Sequence, residues 1–240
     1  MTQLNVNTIE PAGATLNIGA SGDTINVNDS VNVNTVKDAG GNTLWVSDGS
    51  GNLSSVSGFG DALVLLDSDT ATGVASISFT SGIDSTYKEY IFAWMSIHPA
   101  TNNTKFTFQA NVSGETDFNE TITSTAFLAM HRENGTSGSL FYDTASAQAQ
   151  GTSYQPLTYE IGNASDASSS GVLHLFNPSS TTYVKNFYSN AVSVNGDATP
   201  YAYNEYIAGY FNVTGAITQV SFAMSSGNID AGTIKMYGVK

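Results

Sequence analysis

The stretch Tyr90-Ile-Phe-Ala-Trp-Met-Ser-Ile97 is almost continuously apolar. A run of this length, rich in aromatic and β-branched residues, is typical of a β-strand that is buried on both faces. Just before it, Val74–Thr80 alternates apolar and polar residues, which is the period of a strand with a single buried face. The two stretches together predict that the chain builds its core from β-sheet.

Runs of the same kind recur along the chain from residue 61 onward, and clusters of Gly, Pro, Asn, Asp and Ser separate them. Many short strands broken by turns predict a β-sandwich, jelly-roll-like, rather than a parallel sheet. No amphipathic run is long enough to predict a major helix. The remaining predicted strands are Lys105–Ala110, Thr121–Met130, Ser139–Tyr142, Val172–Phe176, Tyr183–Tyr188, Ile207–Val213, Ile217–Met224 and Thr233–Val239.

The composition agrees with an all-β protein that is rich in turns. Hydrophobic residues make up 40% of the 240 residues and aromatic residues 11%, which is enough to build a core. Charged residues make up only 11%, less than half of the usual share of about a quarter. Ser, Thr, Asn and Gly must therefore provide most of the polar surface, and these residues supply turns and tolerate strands.

The charge balance excludes some classes of partner. Seven basic residues stand against twenty acidic ones, the formal net charge is −13, and the only arginine is Arg132. Nucleic acid binding requires clustered lysine and arginine to displace counterions, so we expect no nucleic acid partner. An anionic bilayer is disfavoured for the same reason, and no segment approaches the ~18 apolar residues of a membrane span. The first residues also lack the basic and apolar regions of a signal peptide.

No residue pattern predicts catalysis, a cofactor or a metal. The chain has no cysteine, which excludes disulfides and thiolate metal sites. His98, His131 and His174 share no spacing, and neither a Gly-x-Ser-x-Gly elbow nor a phosphate-binding loop is present. Asp48-Gly-Ser-Gly-Asn52 begins like a calcium loop, but Leu53 replaces the glycine of the sixth position and no glutamate ends the loop. We interpret this segment as a turn and expect no enzyme activity.

Residues 1–60 differ in pattern from residues 61–240. Their apolar residues come as short alternating pairs between Gly- and Asn-rich turns, and the triplet Asn-Val-Asn recurs. Strands this short cannot bury a core alone, whereas identical copies wrapped around a shared axis could. The alternative is an Asn-rich tail without fixed structure. The candidates for the axis of such an oligomer are Ile25, Val27, Val31, Val33 and Trp45. Trp45 could instead cap the domain that follows it.

Tyrosines are concentrated in the second half of the chain, and the group after Pro200 is the best candidate for a binding site. Tyrosine rings pack on the faces of neutral sugars, and nearby amides pair with sugar hydroxyls. The alternative is that these tyrosines fill the sandwich or a subunit interface, where tyrosine is also enriched. The sugar-contact candidates are Tyr201, Tyr203, Asn204 and Tyr206.

Several long motifs resemble the appendage proteins, especially tail fibres, of tailed marine bacteriophages. Val6-Asn-Thr-Ile-Glu-Pro11 and the following Leu16–Asp23 resemble the virion-attachment segment of such fibres, and residues 45–54 resemble the joint after it. Motifs of the same resemblance also fill residues 79–100, 171–183 and 224–238. The resemblance implies a homotrimeric fibre that docks on the virion through its N-terminus and projects its C-terminal domain outward. The candidates for docking are Leu4, Val6, Ile9, Leu16 and Ile18.

These observations predict a structural phage appendage subunit, located in the virion, whose residues 61–240 form a β-sandwich that adheres to the host surface. Its expected partners are further copies of itself, other virion proteins and host polysaccharide. One alternative is a capsid-decoration or head-fibre protein without a receptor role. Another is a polysaccharide-degrading tailspike, which would require two carboxylates about 5–9.5 Å apart in a groove.

Overall fold

The computed structural model describes residues 35–37, 40–47, 49–50, 53–56 and 62–240. These residues fall into two compact units that divide between residues 60 and 61. Their regular structure consists of β-strands in antiparallel sheets, so the prediction of an all-β fold is confirmed. The described part of the chain contains no helix that is long and apolar enough to cross a membrane.

The first unit contains a small antiparallel sheet. Its strands are β1 (Thr35–Lys37), β2 (Thr43–Ser47) and β3 (Leu53–Val56), with β2 in the middle. Trp45 in β2 is half-buried and pairs with Val36 of β1 and Val56 of β3. The other axis candidates Ile25, Val27, Val31 and Val33, and the docking candidates Leu4, Val6, Ile9, Leu16 and Ile18, lie outside the described residues. Asp48 and Asn52 of the calcium-like segment also lie outside them.

The second unit is a β-sandwich of two unequal sheets. The large sheet has nine strands in the order β10-β8-β14-β13-β12-β6-β16-β4, with β9 also paired to β8, and the small sheet has the order β11-β7-β15-β5. These strands are β4 (Leu63–Val74), β5 (Ser76–Phe79), β6 (Glu89–Pro99), β7 (Phe106–Val112), β8 (Ile122–Arg132), β9 (Gly138–Tyr142), β10 (Ala149–Gly151), β11 (Gln155–Pro156), β12 (Ser169–Phe176), β13 (Lys185–Val194), β14 (Tyr201–Phe211), β15 (Ile217–Met224) and β16 (Ile229–Val239).

The core lies between the two sheets and is built mainly from aromatic rings. Phe222 of the small sheet is completely buried, and its ring centroid lies 5.4 Å from that of Phe92 in the large sheet. Phe79, Phe106 and Phe108 surround the same ring at 6.2, 5.6 and 6.3 Å. Each fully buried phenylalanine stabilises the fold by about 1.5–3 kcal/mol relative to an exposed one, so this cluster holds the sheets together.

The small sheet covers only one face of the large sheet. In β6, Tyr90, Phe92 and Trp94 are at most 1% exposed, whereas Met95 is 45% exposed. The prediction that this strand is buried on both faces is therefore wrong, because the described residues place no second layer on the opposite face. Ile91, on that opposite face, is only half-buried. The strand is thus apolar on both sides, but the described residues cover only one of them.

Each strand predicted from the sequence overlaps an observed strand, with differences at the ends. The strand predicted at Tyr183–Tyr188 lies instead at Lys185–Val194, and the strand predicted at Ile207–Val213 already begins at Tyr201. The strands β4, β10 and β11 were not predicted. The earlier start of β14 matters for function, because it places the residues after Pro200 in a strand rather than in a loop.

Candidate functional site

The outer face of the large sheet, which points away from the small sheet, is the most unusual surface of the second unit. Side chains alternate along each strand, so the residues between the buried ones share this face. Apart from Tyr183 and Val184, every large hydrophobic side chain that is exposed in the described residues lies on it. They are Leu63, Leu65, Met95, Phe127, Leu140, Tyr142, Tyr188, Val192 and Tyr206. Isolated exposed apolar residues are normal, whereas a contiguous group marks an interaction surface.

A row of three aromatic side chains crosses this face. Phe127 of β8 lies directly opposite Tyr206 of β14, and their rings are stacked with centroids 4.7 Å apart and planes inclined by 9°. On the other side of Phe127, Tyr142 of β9 occupies the directly opposite position. Phe127, Tyr142 and Tyr206 are 46%, 56% and 42% exposed. Three neighbouring strands therefore present a row of half-exposed aromatic side chains to the solvent.

A second stacked pair lies beside this row. The rings of His174 in β12 and Tyr188 in β13 are 4.3 Å apart and inclined by 12°, and Phe176 continues the stack 6.3 Å from His174. The Nδ1 atom of His174 lies 2.6 Å from Oε1 of Glu89, so an N–H at Nδ1 donates to the carboxylate. This bond fixes the orientation of the imidazole ring. We call Phe127, Tyr142, His174, Tyr188 and Tyr206 the aromatic platform.

The platform encloses a shallow apolar depression of about 150 Å³. It is lined by Thr125, Phe127, Tyr188, Tyr206, Ile207 and Ala208. The side chain of Ala208 lies between the rings, because it pairs with Thr125 on one side and Tyr188 on the other. A small residue at this position leaves room for a ligand ring between the aromatic side chains.

Two asparagines provide polar groups next to the platform. The side-chain amides of Asn190 and Asn204 face each other, with Nδ2 of Asn190 3.3 Å from Oδ1 of Asn204 and the reverse pair at 3.4 Å. Each Nδ2 also donates to a backbone carbonyl of the neighbouring strand, at 3.2 Å. Asn190 pairs directly with Tyr206 across the strands. The amides are therefore held rigidly beside the aromatic ring, and their oxygens can still accept from a ligand.

The structure separates the four sugar-contact candidates into two pairs. Tyr206 and Asn204 lie on the outer face, whereas Tyr201 and Tyr203 point inward, as the strand alternation of β14 requires. Tyr203 is only 5% exposed, and burial raises the pKa of its hydroxyl, which lies 3.3 Å from Nδ2 of Asn195. A sugar ring cannot reach Tyr203, which leaves Tyr206 and Asn204 as candidates.

Tyr201 has a structural role at the same end of β14. Its ring stacks on Tyr203 at 5.8 Å, and the guanidinium of Arg132 lies 4.7 Å from its centroid. A cation over an aromatic face stabilises the pair by about 0.5–1 kcal/mol at a partly exposed site. The only arginine of the chain is therefore engaged in this contact.

The sequence did not indicate four of the platform residues as binding-site candidates. They are Phe127, Tyr142, His174 and Tyr188. The sequence could not assign Phe127 to the exposed face, because Ala126–Met130 is a continuous apolar run without alternation. The register that brings Phe127 next to Tyr206 could not be predicted, because the two residues lie on strands far apart in the chain.

The histidines and acidic residues do not form a metal site in the described residues, where no group of three or more potential ligands occurs. His98 and His174 each contact one carboxylate. Nδ1 of His98 lies 3.5 Å from Oδ2 of Asp230, and Nδ1 of His174 contacts Glu89.

The chain matches no family model, no curated protein and no solved structure at a significant level. The fold and the site thus define it as an all-β chain with a sandwich unit and an exposed aromatic platform.

Proposed function

We propose that this chain is a structural subunit of a phage appendage and that the aromatic platform of its sandwich binds neutral polysaccharide on the host surface. The observation that supports adhesion is the half-exposed, stacked pair of Phe127 and Tyr206, with the fixed amides of Asn190 and Asn204 beside it. Aromatic faces pack against the C–H groups of a sugar ring, while amides exchange hydrogen bonds with its hydroxyls.

The platform suits a neutral ligand better than a charged one. His174 is paired to Glu89, and the other platform residues are phenylalanine and tyrosine. The net charge of −13 would repel an anionic polymer at low salt. Because the platform residues lie on neighbouring strands of one sheet, little conformational freedom is lost on binding. Contacts of this kind are weak individually, and several copies in one fibre would multiply them through effective concentration.

The appendage part of the proposal is supported by the resemblance of Val6–Pro11, Leu16–Asp23 and the later motifs to phage fibre proteins. A capsid-decoration or head-fibre protein of similar architecture is the alternative, and location in the particle distinguishes it. A tailspike enzyme would require two accessible carboxylates. The buried acidic residues Asp143 and Glu205 are 4% and 1% exposed, so a polysaccharide does not reach them.

The test measures binding of the full-length chain to a soluble neutral glucan, mannan and galactan by affinity electrophoresis and titration calorimetry. We expect Phe127→Ala and Tyr206→Ala each to weaken binding about three- to tenfold, the loss expected for one aromatic contact. Tyr183→Ala is the matched control, because Tyr183 is 70% exposed and lies off the platform. Affinity should also stay constant between about 0.1 and 1 M NaCl, because the contacts are uncharged.

The proposal fails if none of the three polymers binds or if Tyr183→Ala weakens binding as much as Tyr206→Ala does. Light scattering on the same variants distinguishes a subunit interface from a sugar site. We expect a trimer for the unmodified chain that persists in Tyr206→Ala, because the predicted axis lies in residues 1–60. Dissociation of the trimer by Tyr206→Ala would assign the platform to contacts between copies instead.

A further inference from the structure

A cluster of reactive side chains lies between the two sheets, away from the aromatic platform. Lys105 directly precedes β7 of the small sheet, and Asp143 directly follows β9 of the large sheet. The Nζ atom of Lys105 lies 3.9 Å from Oδ2 of Asp143 and donates to Oγ of Ser146 at 3.0 Å. The side chains of Lys105 and Asp143 are 22% and 5% exposed. Glu205 of β14 points inward at the same place and is 1% exposed.

Three carboxyl oxygens in this cluster are buried without a hydrogen-bond partner. They are Oδ2 of Asp143 and both Oε atoms of Glu205. The Ser146 hydroxyl and the Asp143 carboxyl both lie close to the Glu205 carboxyl, and a proton held by Glu205 can bridge the two acids. Only two other buried side-chain atoms of the described residues lack a partner, Oδ1 of Asn111 and Nε of Arg132. Burying two adjacent carboxyl groups is costly, so this amine with two acids is an unusual cluster for the interior of a sandwich.

We propose that Lys105 and Asp143 become joined by an amide bond between Nζ and Cγ, with Glu205 carrying the protons. The bond would connect one sheet to the other through two side chains that already meet. It would also give the unpaired oxygens partners. The new amide N–H would donate to one Glu205 oxygen, and the protonated second oxygen of Glu205 would donate to the amide carbonyl.

The reaction is a condensation that balances without an oxidant or a cofactor. The Lys105 ammonium first gives a proton to the Asp143 carboxylate, which produces a neutral amine and a carboxylic acid. The Nζ lone pair then forms a bond to Cγ, while Glu205 accepts a proton from nitrogen and donates one to a carboxyl oxygen. Finally the Cγ–O bond breaks, this oxygen leaves as water with a proton from Glu205, and the remaining hydroxyl returns a proton to Glu205. One ammonium and one carboxylate have become one amide and one water.

The surroundings favour each step. Burial, and then the negative charge of Asp143, raise the pKa of Glu205 to about 8, so Glu205 holds a proton at neutral pH. The ring of Tyr159 lies 5.2 Å from Nζ of Lys105 and shields it on one side. Because the fold already holds the amine next to the acid, the reaction does not lose the entropy that a bimolecular encounter would lose. The limited access of water to a buried amide also protects it from hydrolysis.

The decisive measurement is the intact mass of the purified full-length chain. We expect a mass that is smaller than the sequence mass by one water molecule. Trypsin does not cut after an acylated lysine, so residues 89–132 should remain joined to residues 133–185 in one branched peptide. Tandem mass spectrometry of that peptide would locate the bond at Lys105 and Asp143.

Variants show whether the loss of one water molecule comes from this bond or from another reaction. Lys105→Arg and Glu205→Gln should both have the full sequence mass, whereas the control Lys88→Arg should still lack one water. Circular dichroism of each variant reports whether it is folded. A full mass for the unmodified chain after prolonged incubation would overturn the proposal. A loss of water that persists in Lys105→Arg would also overturn it, because that loss would come from a cyclised aspartate elsewhere. If the mass of Glu205→Gln were also smaller by one water molecule, Glu205 would not be the residue that carries the protons.

Discussion

At the scale of single residues, the protonation of Glu205 makes the stability of the sandwich depend on pH. Its ordinary pKa of 4.5 rises to about 8 in the folded chain, first because of burial and second because of the charge of Asp143, while Lys105 acts in the opposite direction. Between these two pH values the folded chain holds a proton that the unfolded chain has lost. The contribution of Glu205 to stability is therefore most favourable below pH 4.5 and is lost as the pH rises to about 8.

We expect the free energy of unfolding to fall from pH 5 to pH 8 by an amount on the order of 4 kcal/mol that depends on Glu205. Urea denaturation of Lys105→Arg and of Lys105→Arg/Glu205→Gln would measure it. Both variants lack the lysine that could form an amide, so the comparison isolates the titration of Glu205. The double variant should show the smaller change with pH. Equal changes in the two variants would contradict the assignment.

At the scale of elements, the contact between the sheets depends on the phenylalanines of β15 and its neighbours. Phe222 contacts rings from both sheets, so its removal leaves a cavity that neither sheet can close alone. Such a site differs from the surface rings of the aromatic platform, whose removal leaves no cavity.

Phe222→Ala should lower the free energy of unfolding by about 3–5 kcal/mol, the usual cost of truncating a buried phenylalanine. Tyr183→Ala, at a position that is 70% exposed, should change it by less than about 0.5 kcal/mol. Chemical denaturation at constant pH measures both. A loss below about 1 kcal/mol for Phe222→Ala would show that the core can collapse around the missing ring.

The strands also show how far the sequence determines the fold. The apolar run at Tyr90–Ile97 identified a strand correctly but could not reveal that its second face lacks a cover within the described chain. β4 was not predicted because Asp67-Ser-Asp69 interrupts its apolar residues with charged ones, as an edge strand allows. β14 was assigned too late because Asn204 and Glu205 interrupt its apolar pattern. Of the candidate site, the sequence indicated only Tyr206 and Asn204, because the residues that lie beside them come from other strands.

At the scale of the whole molecule, the two units have separate roles in the proposed appendage. Within the part of the chain that the structure describes, every buried residue of the hydrophobic core lies between Ala71 and Met236, so the second unit has a core of its own. The predicted docking residues lie in the first 30 residues.

Deletion of residues 2–30 should therefore leave the sandwich folded and abolish incorporation into phage particles. Circular dichroism and thermal denaturation would test the first expectation, and immunodetection of the protein in purified particles would test the second. The matched control is a chain with Tyr183→Ala, which should be incorporated normally. Normal incorporation of the truncated chain would refute the assignment of docking to these residues.

The position of β16 has a consequence for synthesis of the protein. β16 is the last strand along the chain, yet it lies between β6 and β4, which are made much earlier. At elongation rates of about 5–20 residues per second, the ribosome needs on the order of ten seconds to proceed from the end of β6 to β16. During this time the nascent chain carries an unpaired edge on β6, and β4 has no neighbour in the large sheet. Because an open strand edge is a template for aggregation, the second unit is prone to aggregate until β16 has left the ribosome and paired with β6 and β4.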